Sequence, residues 1–236
     1  MNRQYTWLAL AGAYLALQPL WDIFLGRLER QGGRLASHLG RLEMGALLVY
    51  LLGVPYAALL TGTADARQLG LASPSGWSAL AVGAGVGVAG SLMLAWTWGR
   101  ASRVSYQHNS RRRALFSEWQ ALHTPWGWVP LLLQVLCLQS SWAFVRGAAV
   151  SALGLYEGVF VGLALSGLAW LLRPGRRTNL LDPDTRPSDL LLVGLALVTA
   201  LVYLYSESLW LCTTVHVVGL LAATAAAGRA YAEANA

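Results

Sequence analysis

Apolar blocks of membrane-spanning length restrict how this chain can fold more than any other feature. Each block is close to the ~20 residues that an α-helix needs to cross a hydrocarbon core roughly 30 Å thick. Charged residues make up only 12% of the chain, whereas about a quarter of the residues in an average soluble domain are charged. The sequence therefore predicts an all-α, polytopic membrane protein. The predicted spans are 5–26, 44–62, 77–97, 128–152, 155–172, 189–205 and 209–228.

The basic residues predict how these seven spans are oriented. All 17 of them are Arg, and loops 27–43, 98–126 and 173–188 contain four, five and four of them. The loops that alternate with them along the chain contain at most one Arg each. Because basic loops remain in the cytoplasm, we expect the N-terminus outside and the C-terminus in the cytoplasm. The net charge of +6 is then explained by orientation and by lipid headgroups, and no nucleic-acid partner is expected.

Composition also predicts where the protein resides and what it lacks. The absence of Lys and the abundance of Ala, Leu and Gly are typical of a GC-rich bacterial genome, which predicts a multi-pass protein of the bacterial inner membrane. Cys137 and Cys212 both lie in apolar spans, so we expect neither a disulfide framework nor a metal site. No cofactor is predicted, although a lone His such as His216 leaves haem or chlorin ligation open.

Glycines in the third predicted span indicate close helix packing. Gly83 and Gly87 lie four residues apart, with Gly85 between them. Small residues at this spacing let a second membrane helix approach closely. A phosphate-binding loop would need Lys followed by Ser or Thr at a fixed distance, and these residues do not follow. We therefore predict that Gly83 and Gly87 serve helix packing.

Polar side chains inside the predicted spans are the candidates for function, because an ionisable group at membrane depth costs free energy unless it has a partner. His216 is the sharpest candidate, and a hydrogen bond to Thr213 or to a neighbouring helix is the alternative. Arg146 and Glu157 flank the turn between the fourth and fifth spans. A mutual ion pair is the simpler expectation for them than catalysis.

The stretch from residue 201 to His216 contains a recognisable order of residues. Tyr203 lies near the end of one span, Ser208, Leu209 and Trp210 form the turn and the start of the next, and His216 follows. This order resembles the third motif region of the CPBP family, the CAAX-type and bacteriocin-processing intramembrane proteases. In that family the His is followed by an Asn, whose position is occupied here by Leu220.

Two further motifs of the CPBP family fall in the expected order upstream. The family's Phe-x-x-x-His falls on positions 170–174, where Trp170 replaces Phe and Pro174 replaces His. The family's Glu-Glu-x-x-x-Arg falls on positions 141–146. Ser141 and Trp142 replace both glutamates there, and Arg146 is retained. The resemblance covers about 136–222.

The resemblance implies a fold and a lost activity. In the family a Glu activates a water for peptide hydrolysis, and such a base must lie within hydrogen-bond reach of that water. Of the family's functional positions, only His216 and Arg146 keep a polar side chain of the expected kind. We therefore expect a single membrane domain, in which 1–126 supplies three spans and a basic interfacial loop and 127–228 forms a CPBP-like four-helix core.

Four functions follow from these residues, and the first is preferred. The protein is expected to be non-catalytic and to bind or scaffold another membrane protein or its tail within the lipid bilayer. The alternatives are an active CPBP-type endopeptidase with His216 as base or ligand and Arg146 orienting substrate, and a small-solute transporter. The fourth function is a rhomboid-like serine protease that uses Ser166 and His216. It is considered because a Ser/His pair is the minimum for an activated serine.

Overall fold

The computed structural model describes residues 3–31, 45, 48–72, 76–108, 120, 122–173 and 186–234. Every regular element within these ranges is a helix, so the prediction of an all-α chain is confirmed for them. A short π-helix covers Val49–Gly53. The α-helices are α1 (Arg3–Gln31), α2 (Val54–Leu60), α3 (Trp77–His108), α4 (Trp128–Leu153), α5 (Leu155–Leu172), α6 (Arg186–Ser206) and α7 (Leu209–Ala234).

Five of the described helices are long and apolar enough to cross a bilayer. These are α3 to α7, within the ranges Trp77–Val104, Trp128–Leu153, Leu155–Leu172, Arg186–Ser206 and Leu209–Ala230. The apolar helix Val49–Leu60 is shorter, and at 1.5 Å per residue it extends only about 18 Å. The five helices support the prediction of a helical membrane protein.

The observed helix ends agree with the predicted span ends for α5 but not for the end of α3. The fifth span was predicted over 155–172, and α5 covers Leu155–Leu172. The third span was predicted to end at 97, whereas α3 continues to His108. Apolar character ends where charges begin, but backbone hydrogen bonds continue a helix into a polar segment. Arg100 lies in this extension, 5.8 Å from the centre of the Trp96 ring.

The chain divides into two compact units, each built from two separate stretches of sequence. The first comprises Met1–Ala72 and Cys137–Arg177, and the second comprises Ser73–Leu136 and Thr178–Ala236. Helix α4 crosses the boundary at Cys137 and contributes to both. The predicted division into 1–126 and 127–228 stays a prediction.

In the first unit, α4 and α5 form a tight helical hairpin. The chain turns at Gly154, whose φ of 92° lies in the left-handed region that favours glycine. One turn into α5, Gly158 lies directly against the backbone of Val150. A further turn on, a Cβ at Gly162 would lie 2.7 Å from the Cα of Arg146. The hairpin therefore depends on two glycines at helix-to-helix contacts.

In the second unit, α3 runs parallel to α7 and antiparallel to α6. A Cβ at Gly83 would lie 3.2 Å from Leu211, and one at Gly99 would lie 3.3 Å from Ala226. The residue numbers of successive contacts rise in both helices, so α3 and α7 run in the same direction. Against α6 the order is reversed, because Gly83 meets Ser206 whereas Gly90, farther along α3, meets Val198. The glycine-rich face of α3 is thus covered by two helices.

Candidate functional site

The start of α7 is shaped by hydroxyl groups at the Ser-Glu-Ser turn. Ser206 donates to the Val202 carbonyl at 2.8 Å, and its oxygen accepts the Ser208 N–H at 3.3 Å. Glu207 has a φ of 48°, which lets the chain reverse at once. The Ser208 hydroxyl then accepts the Leu211 N–H at 3.3 Å. Ser208 is therefore a helix N-cap, which gives the first residue of the Ser-Leu-Trp motif a local structural role.

His216 is buried, two turns beyond this cap, with only 2% of its surface exposed. It has an interaction partner within the protein. One turn earlier, the Cys212 thiol donates to the Thr199 carbonyl at 3.3 Å. The Thr213 hydroxyl donates to the Leu209 carbonyl at 2.9 Å. The Cys212 and Thr213 side chains near His216 thus donate to backbone carbonyls of α6 and α7.

The position at which the resemblance to the CPBP family predicts an Asn is occupied by a packing residue. Leu220 lies one turn after His216 and packs against an apolar cluster in the second unit. The buried members of that cluster are Leu94, Leu191, Leu195, Ala223 and Ala227. A leucine side chain offers no hydrogen-bonding group, so this position contributes packing and no ligand.

Ser141, at the position where the resemblance to the CPBP family predicts a glutamate, is hydrogen-bonded to a tyrosine. The Tyr14 hydroxyl donates to the Ser141 Oγ at 2.9 Å, and both side chains are buried. The Tyr14 ring stacks on Tyr50 at 4.5 Å and meets the edge of Phe144 at 5.3 Å. The Tyr50 hydroxyl in turn donates to the Tyr14 carbonyl. Ser141 is therefore part of a packed aromatic cluster.

Arg146 lies one turn beyond Ser141 on α4, and it is 4% exposed. It has an interaction partner, and its Cα is at the close contact with Gly162. Glu157, which the sequence pairs with Arg146, is exposed in the first turn of α5. Arg146 belongs to the first unit and His216 to the second.

The remaining motif positions are less informative. Trp142 and Trp170 are half-buried and both have partners. Pro174 lies outside the described residues. Among the described residues, no group of three or more His, Cys, Asp or Glu side chains could hold a metal ion.

An apolar groove runs between α1 and α5 in the first unit. Its volume is about 380 Å³. One wall is formed by Leu8, Ala11, Gly12, Leu15, Ala16 and Pro19, and the other by Val145, Leu165, Leu168, Ala169 and Leu172. Nothing lies within 4 Å of where a Cβ on Gly12 would be. We call this feature the α1/α5 groove. The sequence did not predict it, because it depends on which faces of two distant helices meet.

The fold defines the class, a helical membrane protein, and comparison adds nothing finer. No protein-family model, no curated protein and no solved structure matches the chain.

The Tyr14–Ser141 hydrogen bond carries a testable expectation. Tyr14→Phe and Ser141→Ala should each lower stability by about 1 kcal/mol, since each removes one buried hydrogen bond. The double variant should be little worse than either single one, because both changes break the same bond. Thermal unfolding in detergent measures this. Tyr156→Phe, at a tyrosine 63% exposed, is the control, and strictly additive losses would contradict the coupling.

Proposed function

We propose that this protein is a non-catalytic integral membrane protein whose α1/α5 groove binds a membrane-spanning helix of another protein. The groove carries this proposal because it is apolar, open and bordered by small residues. On α1, the small residues Gly12 and Ala16 lie four residues apart, which places them along one stripe of the helix. Small residues exposed in this way allow a second helix to approach closely within a bilayer.

The dimensions of the groove favour a helix as its occupant. From Leu8 to Pro19 the groove follows α1 for about 16 Å, at 1.5 Å per residue. The opposite wall contains Leu165, Leu168 and Leu172, spaced by three and four residues on α5. Such a row forms a ridge of the kind that helices pack against. An incoming helix would thus meet small residues on one side and a leucine ridge on the other.

The side chains that replace the CPBP motif residues support a binding role over catalysis. A general base must reach the water it activates, and the family's first Glu position is filled by Ser141, which is bonded to Tyr14. Leu220, at the Asn position, packs on apolar side chains. We therefore propose a degenerate CPBP-like core, for which the order Tyr203, Ser208 and His216 remains the support from sequence.

We also propose seven spans, with the N-terminus outside and the C-terminus in the cytoplasm of a bacterial inner membrane. Helix α1 overlaps the first predicted span, and the short helices Val49–Leu60 lie within the second. The parallel course of α3 and α7 suits this topology, because a third and a seventh span must cross in the same direction.

Site-specific photo-crosslinking tests the proposed function. A photo-reactive residue at position 168 should form discrete cross-links to an integral membrane protein. Gly12→Leu should abolish these cross-links by filling the groove, with no loss of thermal stability, because nothing lies within 4 Å of a Cβ at Gly12. Gly85→Leu is the matched control, since that site is equally open and lies on α3 outside the groove.

Two results would contradict the proposal. One is cross-linking that is unchanged in Gly12→Leu, which would place the partner elsewhere. The other is cleavage of a co-expressed membrane substrate that is lost in His216→Ala, which would favour the endopeptidase. Unchanged processing in His216→Ala would exclude a protease that depends on this histidine.

A further inference from the structure

A small cleft lined mostly by polar residues lies at the end of the first unit where α1 begins. Its volume is about 150 Å³, and it lies apart from the residues of the α1/α5 groove. Residues from α1, from the loop after α2 and from the last turn of α4 line it. These are Gln4, Trp7, Thr63, Asp65, Gln68 and Ser151. We call this feature the Trp7 cleft.

Trp7 is the fixed element of the cleft. Its side chain is 2% exposed, and its ring packs 6.2 Å from that of Phe144. A Cβ at Gly147 would lie 2.8 Å from two carbons of the benzo edge, so the indole is held closely in place. Yet the Trp7 Nε1–H has no hydrogen-bond acceptor anywhere in the described part of the chain. A buried donor of this kind calls for an acceptor, which a bound ligand can supply.

Asp65 supplies the charge of the cleft. It is exposed, and one of its carboxylate oxygens accepts the Arg67 N–H at 2.8 Å. The loop is ordered around it, because the Ala64 N–H bonds to the Ala58 carbonyl and the Leu69 N–H to the Asp65 carbonyl, both at 2.9 Å. None of the six lining residues is Arg. The site therefore favours a cation over an anion.

These two groups set the chemistry of a ligand. Asp65 pairs with a positive group, and Trp7 donates to an oxygen. At roughly 30 Å³ per water, the cleft holds about five water molecules, which limits a ligand to a few heavy atoms. Trp and the ends of apolar helices lie characteristically at the membrane interface, where the headgroups of lipids are available.

We propose that the Trp7 cleft binds an ethanolamine group, with its ammonium on the Asp65 carboxylate and its oxygen accepting from the Trp7 indole N–H. The group has two possible sources, a phosphatidylethanolamine headgroup or free ethanolamine. Phosphatidylcholine is the matched negative ligand, because its trimethylated nitrogen is bulkier and has no N–H to donate to a carboxylate.

Thermal unfolding of the full chain tests this proposal. Phosphatidylethanolamine nanodiscs should give a higher Tm than phosphatidylcholine nanodiscs, and free ethanolamine is titrated into detergent-solubilised protein. A response to the lipid alone assigns the headgroup as source, and a response to free ethanolamine assigns the free amine. Both support the proposal. No response to either probe overturns it and leaves water as the occupant.

Two variants make the test specific. Trp7→Phe removes the indole N–H together with part of the buried ring, and Asp65→Asn removes the charge at an exposed side chain. Each should weaken ethanolamine binding about tenfold, the effect of one hydrogen bond or ion pair to a charged group. Without ligand, Trp7→Phe should be less stable than the parent, because the smaller ring leaves a cavity, whereas Asp65→Asn, at an exposed side chain, should keep the parent's stability and so isolates the effect on binding. Trp126→Phe, at an exposed tryptophan, is the control. Undiminished binding in Trp7→Phe and Asp65→Asn would overturn the proposal.

Discussion

Gly158→Ala is expected to disrupt the α4/α5 hairpin more than any other single methyl group added to the first unit. The added Cβ would overlap the Cα of Val150 and lie 2.5 Å from its nitrogen. It would also lie 2.8 Å from the Ala149 carbonyl carbon. These neighbours are backbone atoms, which cannot rotate away, so the two helices have to separate. Overpacking of this kind costs about 3 kcal/mol or more, which corresponds to a Tm loss of roughly 6–12 °C.

The comparison for this variant lies on the same helix. Gly167→Ala adds the same methyl group to α5 where nothing lies within 4 Å. Its stability should not fall, and Ala should raise it by up to about 1 kcal/mol because Ala is favoured over Gly in a helix interior. Thermal unfolding followed by size-exclusion chromatography in detergent measures both proteins. Equal Tm values for the two variants would show that α4 and α5 are not in the close contact described.

Gly87→Ala is expected to be the most damaging of the corresponding changes in the second unit. The new Cβ would overlap one methyl of Val215 on α7 and lie 3.2 Å from the other. It would also lie 3.4 Å from Val202 on α6. Valine is stiff at χ1 in a helix, so Val215 cannot turn aside easily. We expect a loss of about 1–3 kcal/mol, less than for Gly158→Ala because the neighbours are side chains.

A second change should reverse this effect. Val215→Ala removes the methyl groups that the new Cβ meets, so the double variant Gly87→Ala with Val215→Ala should be more stable than Gly87→Ala alone. Gly85→Ala is the control on the same helix, since its Cβ would meet nothing within 4 Å. A loss in Gly85→Ala as large as that in Gly87→Ala would argue against packing as the cause.

Several features could be predicted because they depend on short stretches of sequence. Apolar residues of membrane-spanning length predicted the helical class, and the spans 128–152 and 155–172 match α4 and α5 closely. The turn expected at 206–208 separates α6 from α7, and Ser208 caps the second of these helices. Hydropathy and capping are local properties, so neighbouring residues are sufficient to indicate them.

Other features depend on residues far apart in the chain. Tyr14 and Ser141 are separated by 127 positions, and no local pattern marks Tyr14 as the partner of the position where the CPBP family has a glutamate. The Trp7 cleft combines α1, the loop after α2 and the end of α4. The packing of Gly158 and Gly162 against α4 was not predicted either. The four-residue spacing of two glycines indicates that a helix can approach closely, but it does not indicate which helix.

The sequence by itself determined that this chain forms apolar helices and where several of them begin and end, because hydrophobic length and hydroxyl caps act within one helix. The resemblance to the CPBP family is of the same kind, an order of residues along the chain, and it stays a prediction. Only the tertiary structure decided that Ser141 is bonded to Tyr14 and that Leu220 packs on an apolar cluster. It also decided that the Trp7 donor meets no acceptor among the described residues. Inside a bilayer apolar side chains gain little by leaving lipid, so helices are paired by shape and hydrogen bonds between distant residues.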